Sequence, residues 1–306
     1  VITKLLGVFM KKILALILTI ALIAGITLSC QTPPPAPAPV QNPNAGPKVT
    51  VTIPELFSPD PDIEDDKMTI NIAVEHPVQI KDWTITIQPN RQQTSGQSTE
   101  RQAGERQGRQ RRAFFEQSGT GTPPAAWQWN GRGTSGEMVM SAMDYRFTIS
   151  VDDVFGNNTV TEGIIEVDII VRREGNNLRI IVPSIVFPPN AANFNLLSQD
   201  EQRANTRIMN MIARALNKFG DYRIIVEGHA NPTTPPNTTQ RTNENSILRN
   251  LSEQRARAVV DFLVNNNGIS RQRLSAIGVG GDRTVADYDD SEENWKNRRV
   301  EFLLAR

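Results

Sequence analysis

Apolar residues recur with two different periods along this chain, and one kind of structural layer cannot satisfy both. In segments 49–53, 68–74, 83–87 and 145–151 they fall on every second position, as in VTVTI, MTINIAV, WTITI and YRFTISV. A period of two sends one side of an extended strand into a core and leaves the other in water. Polar turn clusters such as Gly156-Asn157-Asn158 separate these segments, so residues 48–173 are expected to form an all-β sandwich. Beyond residue 178 the period itself alternates. Segments 180–187, 222–227, 274–279 and 300–304 read as short apolar strands, whereas Ile208, Met211, Ile212, Ala215, Leu216 and Phe219 repeat at helical spacing. Ala256, Val259, Val260, Leu263 and Val264 mark a second helical stripe, with Ser252 placed to cap its start and Gly268 to end it. Residues 178–306 are thus expected to form an α/β sandwich with its helices on one face of a mixed sheet.

The beginning of the chain follows neither period. Met10-Lys11-Lys12 precedes an apolar run over residues 13–26 and then Thr27-Leu28-Ser29-Cys30. A basic start, a short apolar stretch and a small residue before Cys are the order of a cleaved bacterial lipoprotein signal, with the start at Met10 and residues 1–29 removed. The apolar run is short for a bilayer span, which needs about 20 residues. Cys30, the only cysteine, is then the expected lipidation site, where palmitate and similar chains anchor the protein at about 0.8 kcal/mol per buried methylene. Residues 30–47 continue as a proline-rich tether (QTPPPAPAPVQNPNAGP after the cysteine) that favours an extended conformation. A second polar stretch, residues 89–112, has almost no apolar side chains and is expected as a disordered loop inserted between two strands. The 33 basic and 33 acidic residues balance, so nothing global points to nucleic acid.

Three motifs stand in fixed order in the last third: YRIIVEGHANP (222–232), LSEQRARAVVDFL (251–263) and KNRRVEFLL (296–304). Together they resemble the OmpA-like peptidoglycan-binding domain, also found in Pal lipoproteins and the MotB stator protein, which reads as strand-GHTD, LSxxRAxxV on a helix and NRRV on a closing strand. The order Phe57-Ser-Pro-Asp60, Trp129-Asn-Gly-Arg132, Tyr145 and Asp153-Val-Phe-Gly156-Asn157 resembles, more loosely, the Ig-like module of the flagellar hook-capping protein. The first resemblance implies non-covalent binding of peptidoglycan stem peptides; the second implies a spacer or scaffold. With the anchor, the resemblance implies a periplasm-facing lipoprotein that tethers a membrane, the outer one by the family's habit, to the cell wall. An alternative of a different class keeps the fold as an assembly module and binds envelope proteins instead.

Stem peptides present a carboxylate and often an ammonium on their diamino acid. Arg255 matches the family arginine, and a planar guanidinium can grip a carboxylate with two parallel hydrogen bonds. Three residues after Ser252 in LSEQR, it is expected in the first helical turn, where the helix dipole also favours an anion. Asn231 stands where the family has aspartate, and can accept from an ammonium only without charge. Glu244, on a segment between motifs that is longer than the family's, is a candidate replacement carboxylate, and Arg299 of the NRRV motif is a second candidate at the groove. The chain holds two histidines, His76 and His229, and no nucleophile–base set or zinc pattern, so neither catalysis nor a cofactor is expected. Acidic residues 60–66 lack the glycine of a calcium loop, and Gly131-Arg-Gly-Thr-Ser-Gly136 lacks a surrounding βαβ unit, so no metal or dinucleotide is expected there.

Overall fold

The computed structural model describes residues 45–63, 66–90 and 113–306. The expected signal, Cys30 and most of the tether lie outside the described residues, as does nearly all of the 89–112 insert.

Among the described residues, seven strands build the N-terminal part: β1 (Lys48–Thr52), β2 (Met68–Glu75), β3 (Ile80–Pro89), β4 (Phe115–Thr120), β5 (Ala126–Trp129), β6 (Asp144–Asp153) and β7 (Asn158–Glu166). They form two antiparallel sheets, ordered β1-β2-β5 and β4-β3-β6-β7. The alternation seen in the sequence decides which side chains meet between them. Ile70, Ile72, Trp127 and Trp129 of one sheet share a buried cluster with Ile85, Ile87, Phe147 and Ile149 of the other. The aromatic residues pack at angles, with Trp127 against Phe147 at 5.9 Å and Phe114 edge-on to Trp129 at 6.3 Å. Burying a large apolar side chain contributes about 1.5–3 kcal/mol, so this cluster is the main stabilising element of the region. The segment around Gly131–Gly136 is a turn, with Arg132 bridged to Met138 and Gly133 N–H donating to Glu137 O at 2.7 Å.

The C-terminal part contains β8 (Arg172–Glu174), β9 (Asn177–Val182), helix α1 (Gln199–Asn217), β10 (Arg223–His229), helix α2 (Thr239–Asn267), β11 (Leu274–Gly280) and β12 (Val300–Ala305). Its sheet runs β11-β10-β12-β9-β8; β10 and β11 are parallel and the other pairs antiparallel. Ile180, Val182, Ile224, Val226, Phe302 and Leu304 face the helices and join Ile208, Ile212, Leu216, Val259 and Leu263 in one core. The mixed sheet with helices on one face is the expected arrangement. The apolar segment 180–187 is not all strand, because β9 ends at Val182 and the chain then turns toward the helices. Helix α1 opens on a capping box in which Ser198 Oγ accepts from Glu201 N–H and Glu201 returns a bond to Ser198 N–H.

The second helix departs from expectation. It starts at Thr239, not near Ser252, with Thr238 Oγ1 accepting from Arg241 N–H at 3.1 Å, and closes as expected at Gly268 in the left-handed conformation (φ 69°). Ser252 is therefore in the middle of α2 and fully buried. Its hydroxyl donates to Arg249 O and accepts from Gly280 N–H, both at 3.0 Å, and so pins the helix to β11. Two glycines allow that close approach. A Cβ on Gly228 would lie 2.0 Å from Ser252 O, and one on Gly278 would lie 2.0 Å from Arg249 O.

The two parts touch. Ala142 and Ile169 from the N-terminal part belong to the C-terminal core cluster, and Arg207 on α1 pairs with Asp144 at 2.9 Å and Glu166 at 3.2 Å.

Candidate functional site

Arg255 lies beyond the midpoint of α2, so the dipole at the helix N-terminus contributes nothing to it. What positions it is the segment after β9. Its Nε donates to Ala191 O and one Nη to Pro188 O, each at 3.1 Å, and the guanidinium stacks over the Phe187 ring at 5.1 Å. Phe187 is held in turn by stacking on Phe194, which meets Phe262 of α2 edge-on. Among the described residues no carboxylate pairs with Arg255. Half-burial lowers its pKa, and the nearby positive charge of Arg298 lowers it further. A guanidinium without a counter-charge, fixed in a planar orientation by two carbonyls and a ring, is a group prepared for an anion.

Asn231 follows β10, two residues beyond its last strand residue, His229. Its Nδ2 donates to Pro232 O at 3.0 Å and to Tyr288 O at 2.9 Å, while its Oδ1 accepts from Asn297 Nδ2 at 2.8 Å. Asn297 is buried, and its own Oδ1 accepts from Val285 and Ala286 N–H. The two amides thus clamp the segment after β10 to the connection that leads into β12. Asn231 and Arg255 are both coupled to the same short stretch, Asn297-Arg298, the first by a hydrogen bond with Asn297 and the second through the charge of Arg298.

The other two expected site residues have different work. Glu244 was expected to replace the missing aspartate. Instead its two oxygens accept from the backbone N–H and hydroxyl of both Thr233 and Thr234, at 2.5–3.1 Å. Burial opposes its charge, but these four donors outweigh burial and lower its pKa. It organises the long segment before α2, together with Arg241, whose guanidinium donates to Thr234 O and stacks on Tyr288 at 5.1 Å. Arg299 was a candidate for lining the groove, with a structural role as the alternative. It lies on the sheet face away from the helices, buried, with Nε donating to Glu301 at 2.6 Å and an Nη to Arg283 O at 3.1 Å. Strand alternation is the reason: Val300 faces the helical core, so its neighbours on both sides face away.

Arg299 belongs to a closed charge network on that far face. Arg179 bridges Glu227 at 3.0 Å and Glu301 at 2.6 Å, and Arg283 reaches Glu227 at 3.2 Å. Burial works against the charge of Glu227, but the His229 ring at 3.8 Å, Arg283 and Arg179 outweigh it and hold its pKa at about 2. Burial lowers the pKa of His229, more than the neighbouring Glu227 raises it. Glu227, His229 and Glu301 have metal-ligand side chains, with donor atoms within 4.8 Å of one another. Their two carboxylates, with that of Glu174 at 2.5 Å from Arg179, already match three guanidiniums, however, and a divalent cation would add positive charge to a network that is balanced without it. Among residues 60–66, the Asp66 carboxylate accepts from Asp60 N–H at 2.7 Å and that of Asp60 from Asp62 N–H at 2.9 Å, which are turn contacts. Sequence reasoning missed Asn297, Arg298 and Phe187, though the first two stand inside the NRRV motif and so carried a signal.

The OmpA family model matches residues 189–298, the stretch that contains Arg255, Asn231 and Asn297. Outer membrane porin F of Pseudomonas aeruginosa is 42% identical over 90 residues, covering 29% of this chain and 23% of that protein. The peptidoglycan-binding protein ArfA of Mycobacterium tuberculosis is 31% identical over 101 residues, covering 33% and 28%. The peptidoglycan-associated lipoprotein of Mesorhizobium japonicum is 38% identical over 93 residues, covering 30% and 49%. The chain thus spans less than half the length of each of these relatives. Among solved structures, the cell wall anchor of the T6SS from Pseudomonas aeruginosa aligns with 24% identity and a TM-score of 0.34, over 45% of this chain and 87% of that one. The C-terminal region of this chain contains an OmpA-like domain.

Proposed function

We propose that this chain binds peptidoglycan non-covalently through its OmpA-like region, with Arg255 as the group that grips a stem-peptide carboxylate. The observation that carries the reading is the guanidinium of Arg255, half-buried, held planar by Pro188 O, Ala191 O and Phe187, and paired with no described carboxylate. The names of the Mycobacterium and Mesorhizobium relatives, a peptidoglycan-binding protein and a peptidoglycan-associated lipoprotein, support it. In the fuller proposal Cys30 carries the lipid, residues 31–47 and an Ig-like β-sandwich over 48–173 act as the spacer, and residues 178–306 hold the wall. The protein then ties a membrane, the outer one in this reading, to the polymer from the periplasmic side. Single sites of this kind are weak, but many copies on one polymer gain avidity.

Co-sedimentation of the full-length protein, solubilised in detergent, with purified sacculi tests the reading. Wild type is expected in the pellet, Arg255→Ala in the supernatant, and Arg255→Lys in between because an ammonium lacks the planar fork. Wild type remaining in the supernatant, or Arg255→Ala pelleting equally well, overturns it and leaves protein partners as the better account of the domain. For the anchor, a fatty-acid probe is expected to label wild type and not Cys30→Ser; label on the variant refutes that assignment.

A further inference from the structure

We propose that the turn between β6 and β7 is a lipid-contacting wedge, with Val154 and Phe155 inserting into the surface of the membrane to which the tether joins the chain. The inference rests on the lipid anchor at Cys30 in the reading above, and goes beyond it by giving the β-sandwich its own contact with the bilayer. Val154 is 48% exposed and Phe155 69% exposed. A single apolar side chain in water is ordinary, but these two are consecutive and rigidly presented. The buried Asp153 carboxylate accepts from Phe155 N–H at 2.8 Å, Asn157 N–H at 2.9 Å and Asn157 Nδ2 at 2.8 Å, and meets His76 Nε2 at 2.9 Å. Gly156 supplies the left-handed turn position (φ 86°), and Val154 N–H donates to Gln79 O at 3.2 Å, which ties the tip to the loop between β2 and β3. A tip that is fixed before it meets a surface loses little freedom on inserting there.

What identifies the occupant is the place where the tether enters. Thr161 Oγ1 donates to Val49 O at 3.2 Å, so β1 runs beside β7. A Cβ on Gly46 would lie 2.8 Å from Thr159 Oγ1 and 3.1 Å from Asn158 O, so Gly46 lies against the first residues of β7, directly after the tip. Residues 31–45 join this point to Cys30, and a chain of that length spans at most about 50 Å. A lipid on Cys30 would therefore keep the tip close to the bilayer, where its high local concentration makes even weak insertion effective. The other end of β6 faces the OmpA-like region: Asp144, the first of its ten residues, pairs with Arg207 of α1 at 2.9 Å. Strand residues rise about 3.3 Å each, so the two ends are about 30 Å apart. A tip in the membrane thus turns the OmpA-like region away from the bilayer. The charges flanking the tip are matched, Lys48 with Glu75 at 2.9 Å and Lys81 with Asp82 at 3.3 Å, and the half-buried Asp152 accepts from Asn158 Nδ2 at 3.0 Å. The tip therefore approaches anionic lipid without a block of like charge among the described residues.

The test is fluorescence quenching on the full-length lipoprotein reconstituted into vesicles of phosphatidylethanolamine and phosphatidylglycerol, with some lipids carrying a nitroxide on the acyl chain. An environment-sensitive thiol label on Val154→Cys is compared with one on Glu116→Cys, an exposed position near the other end of the same sandwich. Lipidation occupies the Cys30 thiol, the only native one, so the introduced thiol alone takes label. Label at position 154 is expected to be quenched at least fivefold more than label at position 116, and Phe155→Ser added to Val154→Cys to bring the two within twofold. Equal quenching at both positions, in protein that stays with the vesicles, overturns this inference and leaves the anchor and wall-binding readings standing. Quenching at position 154 that Phe155→Ser leaves unchanged overturns it too. Disulfide-linked dimers of Val154→Cys in place of quenching make a second copy of the chain the occupant, and also overturn it. Protein that leaves the vesicles with Cys30 intact overturns the anchor reading together with this one.

Discussion

Two arginines from neighbouring family motifs, Arg255 and Arg299, meet opposite fates on the two faces of one sheet. Arg299 is buried beside Glu301, within a network where Arg179 and Arg283 also reach Glu227 and Glu301. Arg255 is half-buried against carbonyls and an aromatic ring, with Arg298 as its charged neighbour. Both are desolvated, and desolvation lowers the pKa of both. The difference is the counter-charge. A neutralised network specifies and holds a fold, while a fixed cation without a partner holds its attraction in reserve for something outside the chain.

The strongest way to break this contrast is to unbalance the closed side. Glu301→Ala leaves Arg299 and Arg179 facing a single remaining buried carboxylate, and breaking a buried pair in this way costs about 3–5 kcal/mol. Chemical denaturation should show that loss; a change below about 1 kcal/mol would mean that the network is not what holds this face together. Asn231→Asp removes two donated hydrogen bonds and turns an oxygen toward two carbonyls, at a cost of about 1–3 kcal/mol, read in the same way. Arg255→Ala should cost less stability, about 1 kcal/mol or under, since its carbonyl partners regain water, yet it should remove most wall binding.

Acid sharpens the comparison further. Glu227 has a folded pKa of about 2, below its ordinary value, so its stabilisation is complete above about pH 4.5 and is lost as pH falls through that range toward 2. His229 also has a lowered folded pKa, so the unfolded chain takes up its proton first and stability declines as pH falls below about 6.5. Melting temperature should therefore fall in two stages on acidification, and His229→Gln should remove the upper stage. The smallest effect is expected at the exposed pair Lys48–Glu75, 2.9 Å apart with both side chains about 70% exposed, where Lys48→Ala should change stability by about 0.5 kcal/mol or less.

Much of this was legible in the residues, and the gaps have physical causes. Strand alternation identified Met68, Ile70 and Ile72 as inward-facing, because period two depends on local geometry alone. Alternation along β12 also accounts for Arg299 and Glu301 sharing the far face, but no local pattern shows that Arg179 on β9 reaches Glu301 and Glu227 there. Helix α2 was read about fourteen residues short, from the residue after the expected Ser252 cap, whereas it starts at Thr239. Residues 239–250 (TQRTNENSILRN) show no apolar stripe, since that part of the helix is mostly exposed and held by Thr238, Glu244 and the Arg249–Asp282 pair. Asn231 read as a weakened acid because its motif position names an acid. Its partner Tyr288 is 57 residues away, which no local pattern encodes.

The most direct measurement is binding to purified sacculi by Arg255→Ala and Arg299→Ala side by side, with bound protein normalised to the folded fraction seen by circular dichroism. The account predicts that Arg255→Ala loses binding by tenfold or more per folded molecule, while Arg299→Ala loses folded protein but binds normally in what remains. Equal binding per folded molecule by both variants and wild type would contradict it.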